Sequence, residues 1–154
     1  MGYILRMRRH LDGEVPPATW PVGALPSALP HVEPQALHAI LADAYGNGFG
    51  SVPAFADWWS AVASDAEFDP ALVFIAVDTS GSAIGLALCW NTGFIKDIAV
   101  IPAWRGKGVA DALLQQAFQA FQARGLPYVD LKVVAVNAPA IGLYRRAGMV
   151  EAPL

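Results

Sequence analysis

The chain has 154 residues and a net charge of −3; 55% of the residues are hydrophobic and 15% charged, against about 25% charged in an average domain. That length supports one domain, residues 1–154, with a sizeable core, and the acidic balance argues against nucleic acid or a strongly acidic substrate as partner. The single Cys89 permits no disulfide within the chain, His10, His31 and His38 are too scattered for a metal site, and no apolar run reaches the about 20 residues of a membrane span.

No signal-peptide pattern is present, so a cytoplasmic location is expected. Arg6 stands where a myristoylation motif beginning at Gly2 needs Ser or Thr. Tyr3 to Leu11 reads as a first strand, locally basic through Arg6, Arg8 and Arg9, and expected as a solvated sheet edge. A stretch punctuated by Pro16, Pro17, Pro21, Pro26, Pro30 and Pro34 reads as an extended segment laid over the body, pinned by Trp20. Pro34 opens a helix whose apolar face holds Leu37, Ile40, Leu41, Ala44 and Tyr45, ended by Gly46-Asn47-Gly48. Ser51 is the expected cap of a second helix containing Phe55, Trp58, Trp59 and Val62. The aromatic group of Tyr45, Phe49, Phe55, Trp58 and Trp59 suits a core, with some members able to line a pocket.

Ala71–Val77 and Ala83–Trp90 read as antiparallel strands joined by a short polar turn. Phe94–Val100 follows as a central strand, then a loop over Ala103–Lys107 and a helix from about Gly108 to Arg124. The apolar residues Ala110, Leu113, Leu114, Ala117, Phe118 and Phe121 give that helix one buried face. Tyr128–Val136 returns as a strand parallel to Phe94–Val100, with a right-handed crossover. Asn137 caps a last helix, which Gly148 closes.

The start of the helix at Gly108 carries the chemistry. It has no Ser, Thr, Asp or Asn cap; Arg105, Gly106, Lys107 and Gly108 stand there instead. Free N–H groups at a helix start bear a partial positive charge, and glycines let a ligand approach that backbone, so the site suits a phosphate. A plain turn with a solvated basic pair is the alternative. The P-loop pattern fails because Gly108 follows Lys107, and the dinucleotide fingerprint fails because its third glycine position is Asp111.

Arg105-Gly106-Lys107-Gly108-Val109-Ala110 instead fits the pattern of Arg or Gln, two residues, Gly, one residue, then Gly or Ala. Val136 to Met149, with Asn137, Ala140, Leu143, Tyr144 and Gly148 at fixed spacing, supplies a second block. On these two blocks the sequence resembles the GNAT superfamily of acyl-CoA-dependent N-acetyltransferases. The resemblance implies an α/β (α+β) fold: a mixed, mostly antiparallel sheet with one splayed parallel strand pair, flanked by helices. It implies acetyl-CoA as cosubstrate and no metal. The pyrophosphate of coenzyme A would lie on Arg105–Ala110, with Asn137 nearby, and the backbone of Ile98, Ala99 and Val100 would pair with the pantetheine arm.

The implied reaction moves an acetyl group to an amine of a small molecule or peptide by direct attack; a non-catalytic acyl-CoA-binding module is the alternative. The resemblance makes Tyr144 the candidate acid, unless it is a core tyrosine bonded to a backbone carbonyl. Asp97, the only acid on the central strand, could anchor the amine or accept its proton, or form a structural ion pair with Lys132 or an arginine. The resembling fold usually ends in two further antiparallel strands, whereas five residues, Val150–Leu154, follow Met149 here. An exposed edge beside Tyr128–Val136 is therefore expected, and with it a homodimer, the alternative being that the N-terminal strand or the proline-rich segment folds back over that edge within one chain.

Overall fold

The computed structural model describes residues 3–46 and 51–154. Asn47, Gly48 and Phe49, expected at the end of the first helix and in the aromatic group, lie outside the described residues, as do Met1 and Gly2. The strands are β1 Ile4–His10, β2 Ala24–Ser27, β3 Phe68–Asp78, β4 Ala83–Trp90, β5 Phe94–Val100, β6 Tyr128–Val134 and β7 Val150–Ala152. The helices are α1 Pro34–Tyr45, α2 Phe55–Ser64, α3 Val109–Ala123 and α4 Ala138–Arg146. One sheet runs in the order β2-β3-β4-β5-β6-β1-β7, antiparallel throughout except for β5 beside β6. This is the mixed architecture expected from the sequence.

Helices cover the two faces unequally. α3 buries Leu113, Leu114, Ala117, Phe118 and Phe121 against one face, together with Tyr144 and Ala147 from the end of α4. α1 and α2 cover the other face over β3 to β5, through Leu37, Ile40, Leu41, Trp58 and Val62. β4 is buried along nearly its whole length because both layers press on it. At Gly85 an added Cβ would meet the Ala99 carbonyl oxygen at 3.1 Å and Val109 Cγ1 at 3.2 Å. That glycine lets the first turn of α3 sit close on the sheet, which places the helix start beside the end of β5.

Three sequence expectations are corrected. The proline-rich stretch contains a strand, β2, with Pro26 opposite Ala76; a proline is tolerated there because β2 is an edge and one N–H per residue pair faces away. Ser51 does not cap α2, which starts at Phe55 with Ala54 as N-cap; Val52 precedes Pro53 and is held out of helical geometry. The third concerns the sheet edge. β1 lies between β6 and β7, so it is an interior strand and not a solvated edge. It seats there because Met7 and Leu11 are buried in the α3-side core while Arg6 and Arg8 bond Asp130 of β6. The edge beside β6 is thus covered within the chain, and the homodimer expected from its exposure loses that ground.

Candidate active site

The site begins with a strand pair that separates. β5 and β6 stay in register only at Phe94↔Asp130 and Ile95↔Leu131, although both strands continue. A bulge starts the divergence. Leu88 of β4 faces Asp97 while Cys89 faces Ile95, so Lys96 is an extra residue on β5. A bulge bends its strand and reverses which face the following residues occupy. Without it Asp97 would face Ala87 and the α3 layer; with it Asp97 shares the α1 side with Leu88 and Ala99.

A cavity of about 730 Å³ opens along this split. Every sequence-predicted site residue lines it except Lys107: Asp97, Ile98, Ala99, Val100, Arg105, Gly106, Gly108, Val109, Ala110, Asn137 and Tyr144. At its upper end, Gly108 is the N-cap of α3 in the left-handed region (φ 97°), without a side-chain cap. Gly106 is left-handed too, and a Cβ at either glycine would meet nothing within 4 Å. The first N–H groups of α3 therefore face an open, side-chain-free cradle, the geometry an anion needs.

The cations beside that cradle are turned to protein partners. Arg105 donates from Nε to the Val100 carbonyl oxygen at 2.9 Å and lies 3.3 Å from Asp43 of α1. Lys107 Nζ sits 5.3 Å from the centre of the Trp104 ring. Arg105 thereby ties the loop to both β5 and α1. Asn137 also lines the cavity, and its Oδ1 accepts the Ala140 N–H at 3.4 Å, which makes it the cap of α4 expected from the sequence.

Asp97 is 6% exposed and held from two sides. The Tyr45 hydroxyl donates to Oδ1, and Lys96 Nζ stands 2.8 Å from Oδ2. The structural partner expected for it was Lys132 or an arginine; the partner found is its own neighbour, Lys96. Burial, with the charge and hydrogen bond of Asp97, pushes the Tyr45 hydroxyl far above the ordinary tyrosine range. Tyr144 approaches from α4, on the opposite face, and burial followed by the charge of Asp97 pushes its pKa up to about 12. Its hydroxyl has no hydrogen-bonding partner among the described residues, so it is not the carbonyl-bound core tyrosine considered above. Buried Cys89 is raised as well, by burial and then by Asp97, and stays a thiol.

Sequence reasoning placed Tyr45 in a helix face without assigning it chemistry. Its polar tip on an otherwise apolar stripe was the available signal, but only the bulge, invisible in the sequence, brings Asp97 to meet it.

A model of the acetyltransferase (GNAT) family matches residues 35–149. The chain belongs to that family. Over 80 residues this GNAT chain is 41% identical to streptothricin acetyltransferase of Streptomyces lavendulae, covering 49% of this chain and 42% of that protein. It superposes on a GCN5-related N-acetyltransferase from Sphaerobacter thermophilus with a TM-score of 0.83 and 35% identity, over 97% of this chain and 48% of the other. The spermidine N-acetyltransferase of Vibrio cholerae, solved with CoA and spermine, shares the fold at a TM-score of 0.65 and 20% identity, over 85% of this chain and 83% of that one. The GNAT chain thus spans less than half the length of the first two relatives. Among the described residues no helix is long and apolar enough to cross a membrane.

Proposed function

We propose that residues 1–154 act as one acetyl-CoA-dependent N-acetyltransferase unit, working in the cytoplasm on an amine of a small molecule or peptide. The observation that carries this reading is the split between β5 and β6, with an uncapped helix start at one end and Asp97 and Tyr144 meeting it from opposite faces. A fold of this kind holds CoA in the Vibrio cholerae enzyme. Here the open cradle at Gly106 and Gly108 accommodates a pyrophosphate, and the part of β5 that β6 leaves uncovered offers backbone groups to an extended amide-bearing chain. When bound, acetyl-CoA supplies a thioester whose carbonyl carbon the amine attacks; the new C–N bond forms as the C–S bond breaks.

The chain's own residues then have separate tasks. Asp97 keeps lone pairs free beyond those used by Tyr45 and Lys96. It accepts a hydrogen bond from the incoming amine and takes its proton directly or through one water. Tyr144, with a pKa near 12, remains protonated at any working pH. Full proton transfer from it to a thiolate, whose acid has a pKa of about 8.5, would be uphill by about 5 kcal/mol. Its contribution is therefore a hydrogen bond that strengthens as charge gathers on the leaving sulfur, and the sulfur's proton comes finally from the amine by way of solvent.

The test is calorimetric titration with acetyl-CoA beside a CoA-release assay across a broad amine panel. Binding with turnover of at least one amine supports the transferase. Binding without any turnover supports an acyl-CoA-binding module, which the free Tyr144 hydroxyl argues against.

A further inference from the structure

The face of the sheet on which Asp97 lies continues across β6 and β1, where no helix among the described residues covers it. The α3-side residues of β6 are Val129, Leu131 and Val133, so Asp130 and Lys132 point the other way, toward the Asp97 side. Across the β6–β1 pair, Lys132 stands directly opposite Arg6. Like charges opposite one another, with Cβ atoms about 5 Å apart, are unfavourable. Arg6 Nη1 lies 2.8 Å from Asp130 Oδ2, but Arg8 Nε lies 2.8 Å from Oδ1 of the same carboxylate. One carboxylate thus serves two arginines. Lys132 has no ion-pair partner among the described residues, and the buried Arg6 Nε has no acceptor. Lys96 and Asp97 cancel each other, so this face carries three cations against one carboxylate in a chain whose net charge is −3. Lys132 lines the same cavity as Asp97.

We propose that Lys132 forms a subsite for a carboxylate, so that the amine acetylated here belongs to a small amino acid. The inference rests on the acetyltransferase reading and names its acceptor. The face assigns the anion to the acceptor and not to the cofactor, because the phosphate cradle of α3 and Tyr144 lie with the opposite layer. The scale fits as well. Lys132 follows the last β5–β6 pair by one residue and Asp97 by two. Their separation is of the order of one strand spacing, about 4.8 Å, widened by the split, which matches an amine and a carboxylate a few bonds apart. The preference overrides the overall acidity of the chain because Lys132, unpaired among the described residues and on the cavity wall, acts within about one Debye length, roughly 8–10 Å.

The probes are N-acetylalanine and its neutral C-terminal amide, titrated by calorimetry against the CoA-loaded protein, wild type and Lys132→Met. The wild type should bind the carboxylate about tenfold or more tightly than the amide, a charge-assisted contact, and Lys132→Met should abolish that ratio. Acetyl-CoA affinity should be unchanged in the variant. Equal binding of the two probes by the wild type overturns the proposal, as does a ratio that survives in Lys132→Met. Loss of acetyl-CoA affinity in the variant also overturns it, by moving Lys132 to the cofactor. Failure of the transferase reading itself registers separately, as binding of acetyl-CoA without release of CoA in the amine panel.

Discussion

Replacing Tyr144 with phenylalanine separates a chemical role from a packing one. The residue is buried, and its hydroxyl, in a side chain that lines the cavity, has no hydrogen-bonding partner among the described residues. Its removal leaves no orphaned group behind, and the ring keeps its place in the α3-side core. Stability at pH 8 should therefore change by less than about 0.5 kcal/mol. The alkaline range should differ. The folded-state pKa near 12 lies above the unfolded value of about 10, so the folded protein holds a proton that the unfolded chain releases. That contribution is complete below pH 10 and is lost as pH rises toward 12, at about 1.4 kcal/mol per pH unit. The phenylalanine variant should lack this extra loss, which urea melts at pH 8 and pH 10.5–11 would show. Turnover should fall by about 10²–10³, or roughly 3–4 kcal/mol of barrier, as for removal of one preorganised donor to a developing charge. Single-turnover release of CoA at saturating acetyl-CoA and amine reads the chemical step. A rate constant within threefold of wild type, or a stability loss above 2 kcal/mol at pH 8, would refute the reasoning.

Tyr45→Phe, in contrast, should reduce stability and rate together, because it leaves buried Asp97 with Lys96 alone; a loss of about 1.5–3 kcal/mol in urea melts is expected for a bond to a charged group. Asp130→Asn should destabilise by about 2–4 kcal/mol, since Arg6 and Arg8 would then face each other without a counter-charge. Burial raises the Asp130 carboxyl, but hydrogen bonds and charge from Arg8 and Arg6 outweigh this and hold it below the usual range. The stabilisation is thus present above about pH 4 and is lost on further acidification, so wild type and variant melts should converge in acid. Sedimentation equilibrium at micromolar concentration should give a monomer near 16.3 kDa, because β1 already covers the edge beside β6; a dimer mass would point to a different surface.

Local signals made much of this fold legible. The uncapped glycine start of α3 and the second block from Asn137 to Gly148 are short-range patterns, and both stand where they were read. β4 is a nearly unbroken apolar run and β5 an apolar stretch interrupted only by Lys96-Asp97, and both have the bounds expected of them. What escaped depends on contacts remote in the chain. The place of β1 is set by pairing over more than a hundred residues and by Arg6 and Arg8 finding Asp130, which no local pattern encodes. The bulge at Lys96 likewise follows from how β4 and β5 fit, and it alone decides that Asp97 faces Tyr45. Arg105 was read from the sequence as a cation beside the helix start; its side chain is engaged with Val100 and Asp43, contacts that no local pattern encodes.

The central claim is that acetyl-CoA binds along the split between β5 and β6 with its pyrophosphate on the start of α3. Backbone amide shifts followed by NMR during an acetyl-CoA titration test it most directly, with Gly108→Asp as the control that sets a carboxylate into the cradle. The largest shifts should fall on Ile98–Val100 and Gly106–Ala110 in the wild type and vanish in the variant. Shifts concentrated elsewhere, or an unchanged affinity in Gly108→Asp, would contradict the account.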